Sequence, residues 1–286
     1  MKQSKKLIFF NFFRDILRRL RVDYFFPVFT KDKNYNNFFV KCIPQNYQYP
    51  KNSFRRVNRN GIWFELDLSE YMEWVIYYGL SVENRSELYN VARKGMVMFD
   101  VGSNIGETLL NFALLVGDEG KVFGFEPIPL TFEKCSNNIS LNNFSNITIS
   151  QIALSNKEET LFFEDPNNNN SGGVFMNKKK TTRSHTVQAI TLDAFVKNQN
   201  LKKIELIKID VEGFESNVLK GAEMVCKELR PNLFVEVDDD NLKRQGSSEH
   251  ELLDLITSYG YRISKVNVSV LLDTSVSHYD IYAEPI

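Results

Sequence analysis

Cysteine, histidine and tryptophan are the scarce residues of this chain: three, three and two among 286. Cys42, Cys135 and Cys226 are far apart, odd in number and form no CxxC pair. That excludes a cysteine zinc site and a disulfide scaffold, and it fits reduced thiols in a cytoplasmic protein. There is no excess charge of either sign, with 35 Lys and Arg against 36 Asp and Glu. A net charge of -1 argues against a dedicated nucleic-acid binder, which is usually basic. Long hydrophobic runs are missing too. The apolar stretch at 7–13 is broken by Asn11 and followed at once by Arg14, Asp15, Arg18 and Arg19. It is too short and too charged to span a bilayer, and no small-residue cleavage site follows it.

What remains at the N-terminus, residues 1–21, reads as a basic amphipathic helix. The simpler expectation is a helix docked on its own domain or on a partner subunit of a homo-oligomer. The other is a peripheral helix on the inner face of a membrane. Residues 22–60, rich in aromatics, Asn, Lys and Pro, show no clean period and read as an irregular cap. The expected organisation is therefore an extension over 1–53 and an α/β domain over 54–286.

From residue 61 the pattern becomes regular. A short alternating strand follows Gly61, then helical spacing over 70–78 and 86–93, with Ser86 as the expected N-cap of the latter. Apolar strands at 96–101, 121–126, 147–152, 206–209 and 233–237 alternate with helices at 107–116, 130–141, 214–222 and 249–259. The last strands are expected at 261–265 and 279–283. This alternation implies a Rossmann-like α/β fold with parallel pairing through right-handed crossovers. Fully apolar strands fit a sheet covered on both faces. One insertion, 164–185, holds four consecutive Asn, a Gly pair and three consecutive Lys. It is expected to be a flexible loop, either a lid or a tolerated surface insertion.

Three motifs carry chemistry. The first is Phe99-Asp100-Val101-Gly102-Ser103-Asn104-Ile105-Gly106, an apolar strand ending in a glycine turn that opens a helix. The helix start offers free N–H groups and the positive end of a dipole, which suits an anion. Asp100 would repel a pyrophosphate but attract an ammonium, so a ligand bearing both an ammonium and a carboxylate matches. A dinucleotide fingerprint would need Gly-x-Gly-x-x-Gly. The second motif is Glu126, ending the next strand, where an acid can accept both hydroxyls of a ribose. Ala153 lies where backbone could reach an adenine edge. The third is Asp210-Val211-Glu212-Gly213 after the strand at 206–209, with Glu236 ending the following strand. These three carboxylates can position a hydroxyl, accept its proton or hold a divalent metal; the sequence leaves the metal undetermined. Helix capping is the plainer role for Glu212, and a buried strand acid for Glu236. His185, at the end of the insertion, is a candidate base, whereas His250 reads as a surface or capping residue.

With these residues in view, the chain from about 54 to 286 resembles the FkbM family of methyltransferases. FDVGSNIG, FEPIPLTFEKCSNNISLN, Asn170-Ser171-Gly172-Gly173, ITLD at 190–193, IKIDVEGFESNVLKGA and Arg230-Pro231 occur in the family's order. Ser103 stands where the family usually has Ala. The resemblance implies a class I methyltransferase sheet of seven strands, the last antiparallel, and S-adenosyl-L-methionine as cofactor. It implies O-methylation of a hydroxyl on a sugar, glycan, glycolipid or natural product. It assigns Asp100, Gly102, Asn104, Gly106 and Glu126 to the cofactor site and Asp210 and Glu212 to the catalytic edge. Two competing readings are a nicotinamide-dependent dehydrogenase on the same sheet and a catalytically silent module docking on membrane or nucleotide.

Overall fold

A computed structural model describes residues 5–80, 83–164, 175–177, 185–266 and 278–286. The chain forms two compact units, Met1–Val82 and Glu83–Ile286.

In the first unit, a helix at Lys5–Arg19 is followed by short helical turns at Val22–Phe25, Pro27–Thr30 and Phe38–Cys42. The stretch expected to be irregular thus contains short helical turns and, from Phe54, a strand, in pieces too short to show a period. Asn37 caps the last piece by accepting from the Phe39 N–H. Strands β1 (Phe54–Arg59) and β2 (Ile62–Asp67) form an antiparallel hairpin closed by Asn60-Gly61. Both turn residues have positive φ, the geometry that matches strand twist in a two-residue turn. The helix Tyr71–Tyr78 packs with these elements. Trp74 donates from Nε1 to the Pro44 carbonyl at 2.8 Å, and Thr30 donates to the Tyr78 carbonyl at 2.7 Å. Such buried ties join the pieces around 30 and 44 to the helix Tyr71–Tyr78 within the compact unit that runs to residue 82.

The second unit opens with a helix at Glu83–Asn90, so Ser86 lies inside the helix rather than at its N-cap. Its main sheet has seven strands: β3 (Val97–Val101), β4 (Lys121–Phe125), β5 (Ile147–Ser150), β10 (Leu206–Ile209), β11 (Asn232–Asp238), β12 (Tyr261–Lys265) and β13 (His278–Pro285). Their order is β12-β13-β11-β10-β3-β4-β5, and β13 alone runs opposite to the other six strands. This is the mostly parallel, seven-stranded arrangement that the resemblance implied. Strands β6 (Ala153–Leu154), β7 (Glu159–Glu164), β8 (Phe175–Asn177) and β9 (His185–Ile190) form a separate four-stranded sheet in the order β6-β9-β7-β8. The insertion expected as an unbroken loop therefore contributes a strand, Phe175–Asn177, paired with Phe162–Glu164. The remainder of that insertion lies outside the described residues, as do Asn170 to Gly173. The expected strand at 147–152 ends at Ser150, and Ala153 belongs to the smaller sheet.

The pleat decides where the charges go. On one face, Phe99, Val101, Ile207, Ile209, Leu233, Val235 and Val237 are buried in a continuous apolar cluster. On the other, Met98, Leu206 and Phe234 are buried and apolar. Two residues further toward the carboxyl edge, that second face changes to Asp100, Lys208 and Glu236. The apolar character of the second face thus stops one pleat short of the edge while the burial continues at Asp100 and Lys208, and the switch to ionisable residues marks the site.

Candidate active site

The turn after β3 is dictated by crowding. Gly102 has φ +83°, and a Cβ there would lie 1.9 Å from the Asp210 carbonyl oxygen. Only glycine lets the β3 turn and the β10 end touch. Gly106, φ +89°, precedes the helix Glu107–Val116, where a Cβ would meet Cys135 Sγ at 2.8 Å. Asn138, fully buried on the helix Pro129–Ser140, donates to the Ile105 carbonyl at 2.9 Å and fixes the far side of the turn. Ser103 donates to the Asp100 carbonyl at 2.9 Å and accepts from the Phe125 N–H at 3.2 Å. Its hydroxyl therefore links β3 to β4, and the missing side chain of Gly124 makes room for it.

Asn104 also has positive φ (48°), and its Oδ1 is buried with no hydrogen-bond partner. An unpaired buried acceptor at a helix mouth is costly unless a ligand donor satisfies it. Glu126 is buried and accepts from the Asn104 and Ile128 N–H groups, each at 2.9 Å. Burial raises its pKa to about 7 despite those bonds. Glu126 thus holds the Asn104 turn and stands beside it. Ala153 is buried in β6.

Asp100 lies under the turn with no exposed surface. Burial lifts its pKa to about 6, opposed by Lys208. The cation facing Asp100 within the protein is thus Lys208, whose ammonium is 3.5 Å from Asp100 Oδ1. The same ammonium is 3.0 Å from Asp210 Oδ2 and donates to the Gly102 carbonyl at 3.1 Å. Burial opposes its charge, but the two aspartates outweigh that and raise its pKa. Lys208 was not among the candidates expected from sequence. The signal was present: a lone cation inside the apolar strand LIKI.

Asp210 keeps 39% of its side chain exposed while ion-paired to Lys208. Burial pushes its pKa up, but Lys208 and a hydrogen bond with Glu236 win and leave it lowered. Glu236 is driven the other way, by burial and by repulsion from Asp210, Glu212 and Glu215. Lys208 thus favours the charged form of Asp210, whereas burial and the neighbouring carboxylates disfavour the charged form of Glu236. His278 Nε2 lies 3.3 Å from Glu236 Oε1, and its Nδ1 3.7 Å from Asp238 Oδ2. His278 too escaped the sequence reading. Glu212, with φ 53° and a pKa raised to about 7 first by burial and then by Asp210, accepts from Asn241 Nδ2 at 3.1 Å. The capping role falls to Glu215, which accepts from the Val211 and Gly213 N–H groups.

The structure thus brings Asp100, Lys208, Asp210 and Glu236 together, with Glu212 alongside. His185 is exposed and pairs with Phe163 in the smaller sheet, and His250 is exposed near Asp254. Among the described residues, no group of three or more His, Cys, Asp or Glu side chains is placed to hold a metal ion.

A family model described as the methyltransferase FkbM domain matches residues 100–263. The hexuronic acid methyltransferase AglP of Haloferax volcanii is 34% identical over 134 residues, covering 47% of this chain and 53% of that protein. The 2-O-methyltransferase NoeI of Sinorhizobium fredii is 24% identical over 178 residues, covering 57% of this chain and 72% of that protein. The crystal structure of an FkbM methyltransferase from Methylobacillus flagellatus is 18% identical, covers 96% of this chain and 60% of that one, and superposes with a TM-score of 0.49. The chain spans about half the length of AglP.

Proposed function

This chain belongs to the FkbM methyltransferase family, and on that premise we propose that it transfers a methyl group from S-adenosyl-L-methionine to a hydroxyl of a sugar or glycan acceptor. The cofactor site would be the crevice between the β3 turn and the end of β4. The residues there fit the group. The Gly102–Gly106 turn and helix start offer backbone N–H groups to a carboxylate. The unpartnered Asn104 Oδ1 offers an acceptor to an ammonium. Glu126 offers carboxylate oxygens to ribose hydroxyls. When bound, the cofactor supplies an electrophilic methyl on a sulfonium.

The protein's task is then to orient the acceptor oxygen, an effect worth roughly 7–11 kcal/mol in well-aligned cases. Asp210 is the residue for it. Its carboxylate is anchored by Lys208, partly open to solvent, and its backbone touches Gly102. It would accept the hydroxyl's hydrogen bond and, as the methyl–oxygen bond forms, its proton. Glu236, hydrogen-bonded to Asp210, would hold the second side of that carboxylate and keep it from turning away. A sugar hydroxyl is favoured by the relatives AglP, a hexuronic acid methyltransferase, and NoeI, a 2-O-methyltransferase.

The observation carrying this reading is the Lys208–Asp210 contact of 3.0 Å at the lip of the glycine turn. The test is transfer of labelled methyl to a panel of uronic acids and neutral glycosides, with Asp210→Asn beside the parent protein. Asp210→Asn should lose at least about a hundredfold in turnover and still bind S-adenosylhomocysteine by calorimetry. Near-parental turnover would remove Asp210 from the mechanism, and failure of the parent protein to bind the product would remove the methyltransferase reading.

A further inference from the structure

In an ordinary surface helix the apolar stripe faces the core. The first helix, Lys5–Arg19, does the reverse in its described half. Arg14 is the buried residue, donating through Nε and Nη2 to the Lys41 carbonyl at 3.0 and 2.7 Å. Phe12, Ile16 and Leu20, spaced at i, i+4 and i+8, are exposed at 66%, 38% and 68%. The segment that follows continues the pattern, with Phe25 65%, Val28 80% and Phe38 66% exposed. Phe38 meets Phe39, which stacks on Phe29 at 5.4 Å, so rings from two short helical turns join on the surface. Large apolar side chains presented in this density mark an interaction surface.

Charge indicates what it meets. Residues 1–33 hold nine Lys and Arg against three Asp and Glu, leaving 26 against 33 for the remaining residues. The chain is near-neutral overall only because a basic N-terminal segment offsets an acidic remainder. Exposed aromatics interleaved with cations fit an anionic bilayer, where apolar side chains enter the acyl boundary and Lys and Arg meet the headgroups. A second copy of the same cationic surface would repel it, and nucleic acid would leave the aliphatic residues Ile16, Leu20 and Val28 without a partner.

We propose that the surface formed by residues 12–39 docks this protein peripherally on anionic phospholipid membranes. This does not depend on the methyltransferase reading, since the surface contains none of the residues assigned to the site.

The test is co-flotation of the full-length chain with phosphatidylcholine vesicles, with and without phosphatidylglycerol. The parent should float with the anionic vesicles and stay behind with the neutral ones, and salt should release it. Arg19→Gln with Lys33→Gln should weaken binding about thirtyfold, at roughly fivefold per cation near the surface. Phe25→Ser with Val28→Ser should weaken it at least as much, with the melting temperature and cofactor-product affinity of both variants unchanged. Equal binding to neutral vesicles, or none to anionic ones, would overturn the proposal. So would a salt-resistant dimer in sedimentation that the Phe25→Ser, Val28→Ser variant abolishes. So, equally, would oligonucleotide binding that the charge variant loses and the aromatic variant keeps.

Discussion

Replacing Lys208 by Met tests the electrostatic core of the site. The substitution keeps the stem's volume and removes the ammonium that lies 3.5 Å from Asp100 and 3.0 Å from Asp210. Deleting one partner of a buried ion pair costs about 3–5 kcal/mol, because the remaining charge has no compensation. The second unit is of a size for which each kcal/mol moves the melting temperature by about 2–4 °C, so a fall of roughly 10 °C is expected. The deficit should depend on pH. Lys208 lowers the pKa of both aspartates, so its removal raises Asp100 further above its unfolded value and removes the main cause that holds Asp210 below its own. A carboxyl whose folded pKa is raised binds its proton more tightly when folded, and stability falls as pH rises through that range. Lys208 itself stays protonated in both states throughout and adds no slope. The loss should therefore be larger near pH 8 than near pH 5.5. Adding Asp100→Asn to the variant should recover part of it, as coupled neighbours do. Thermal melts followed by circular dichroism at the two pH values decide the matter. A melting temperature within about 2 °C of the parent at both, or a deficit larger in acid, would refute the reasoning.

The parent protein without cofactor should itself be more stable near pH 5.5 than near pH 8. Asp100 at about 6 and Glu126, Glu212 and Glu215 at about 7 all lie above their ordinary values, chiefly through burial; urea unfolding across that range reads the slope, and a rise toward alkaline pH would contradict it. Gly102→Ala should fail to accumulate as folded protein, since its Cβ would sit 1.9 Å from the Asp210 carbonyl oxygen; a soluble variant with parental melting behaviour would show that the β3–β10 contact is slack. Ser103→Ala, which restores the family's usual residue, removes two hydrogen bonds and should cost about 1–2 kcal/mol in denaturant midpoint while leaving cofactor-product affinity within about twofold. Glu126→Gln should weaken S-adenosylhomocysteine at least about tenfold by calorimetry, and unchanged affinity would take Glu126 out of the ribose position.

The parts of this molecule legible in sequence were those in which one signal repeated. Strands β3, β4, β10 and β11 are mainly apolar on both faces short of their carboxyl ends, and the helices between them have a helical period, so the parallel sheet could be read directly. The glycine turn and the acids at strand ends followed from it. The first unit was harder. FRRVNR at β1 has little hydrophobic signal because both of its faces remain accessible. The hairpin's clearest mark was local, the Asn60-Gly61 pair, and it went unread beside aromatic residues with no period. Helical turns of four or five residues leave no periodicity to find. The four-stranded sheet was masked by composition, since Asn and Lys runs signal a loop even where a strand crosses it.

Lys208 and His278 show a different obstacle. Each matters through partners on other strands: Lys208 through Asp100 on β3, His278 through Glu236 on β11. Sheet order decides those pairings, and no local window contains them. Once the order is fixed, the chemistry follows from parity. Asp100, Lys208 and Glu236 share a pleat face, and Asp210 extends it past the end of β10. Of four carboxyls crowded beside one ammonium, Asp210 alone has its pKa lowered, whereas Asp100, Glu212 and Glu236 are raised. A cluster selected for stability would replace the raised acids with apolar residues, because burying ionisable groups that prefer to be neutral is unfavourable. Its persistence around one anchored, half-exposed carboxylate is what a site needs if that carboxylate must be held still and favoured in its charged form until an acceptor hydroxyl meets it.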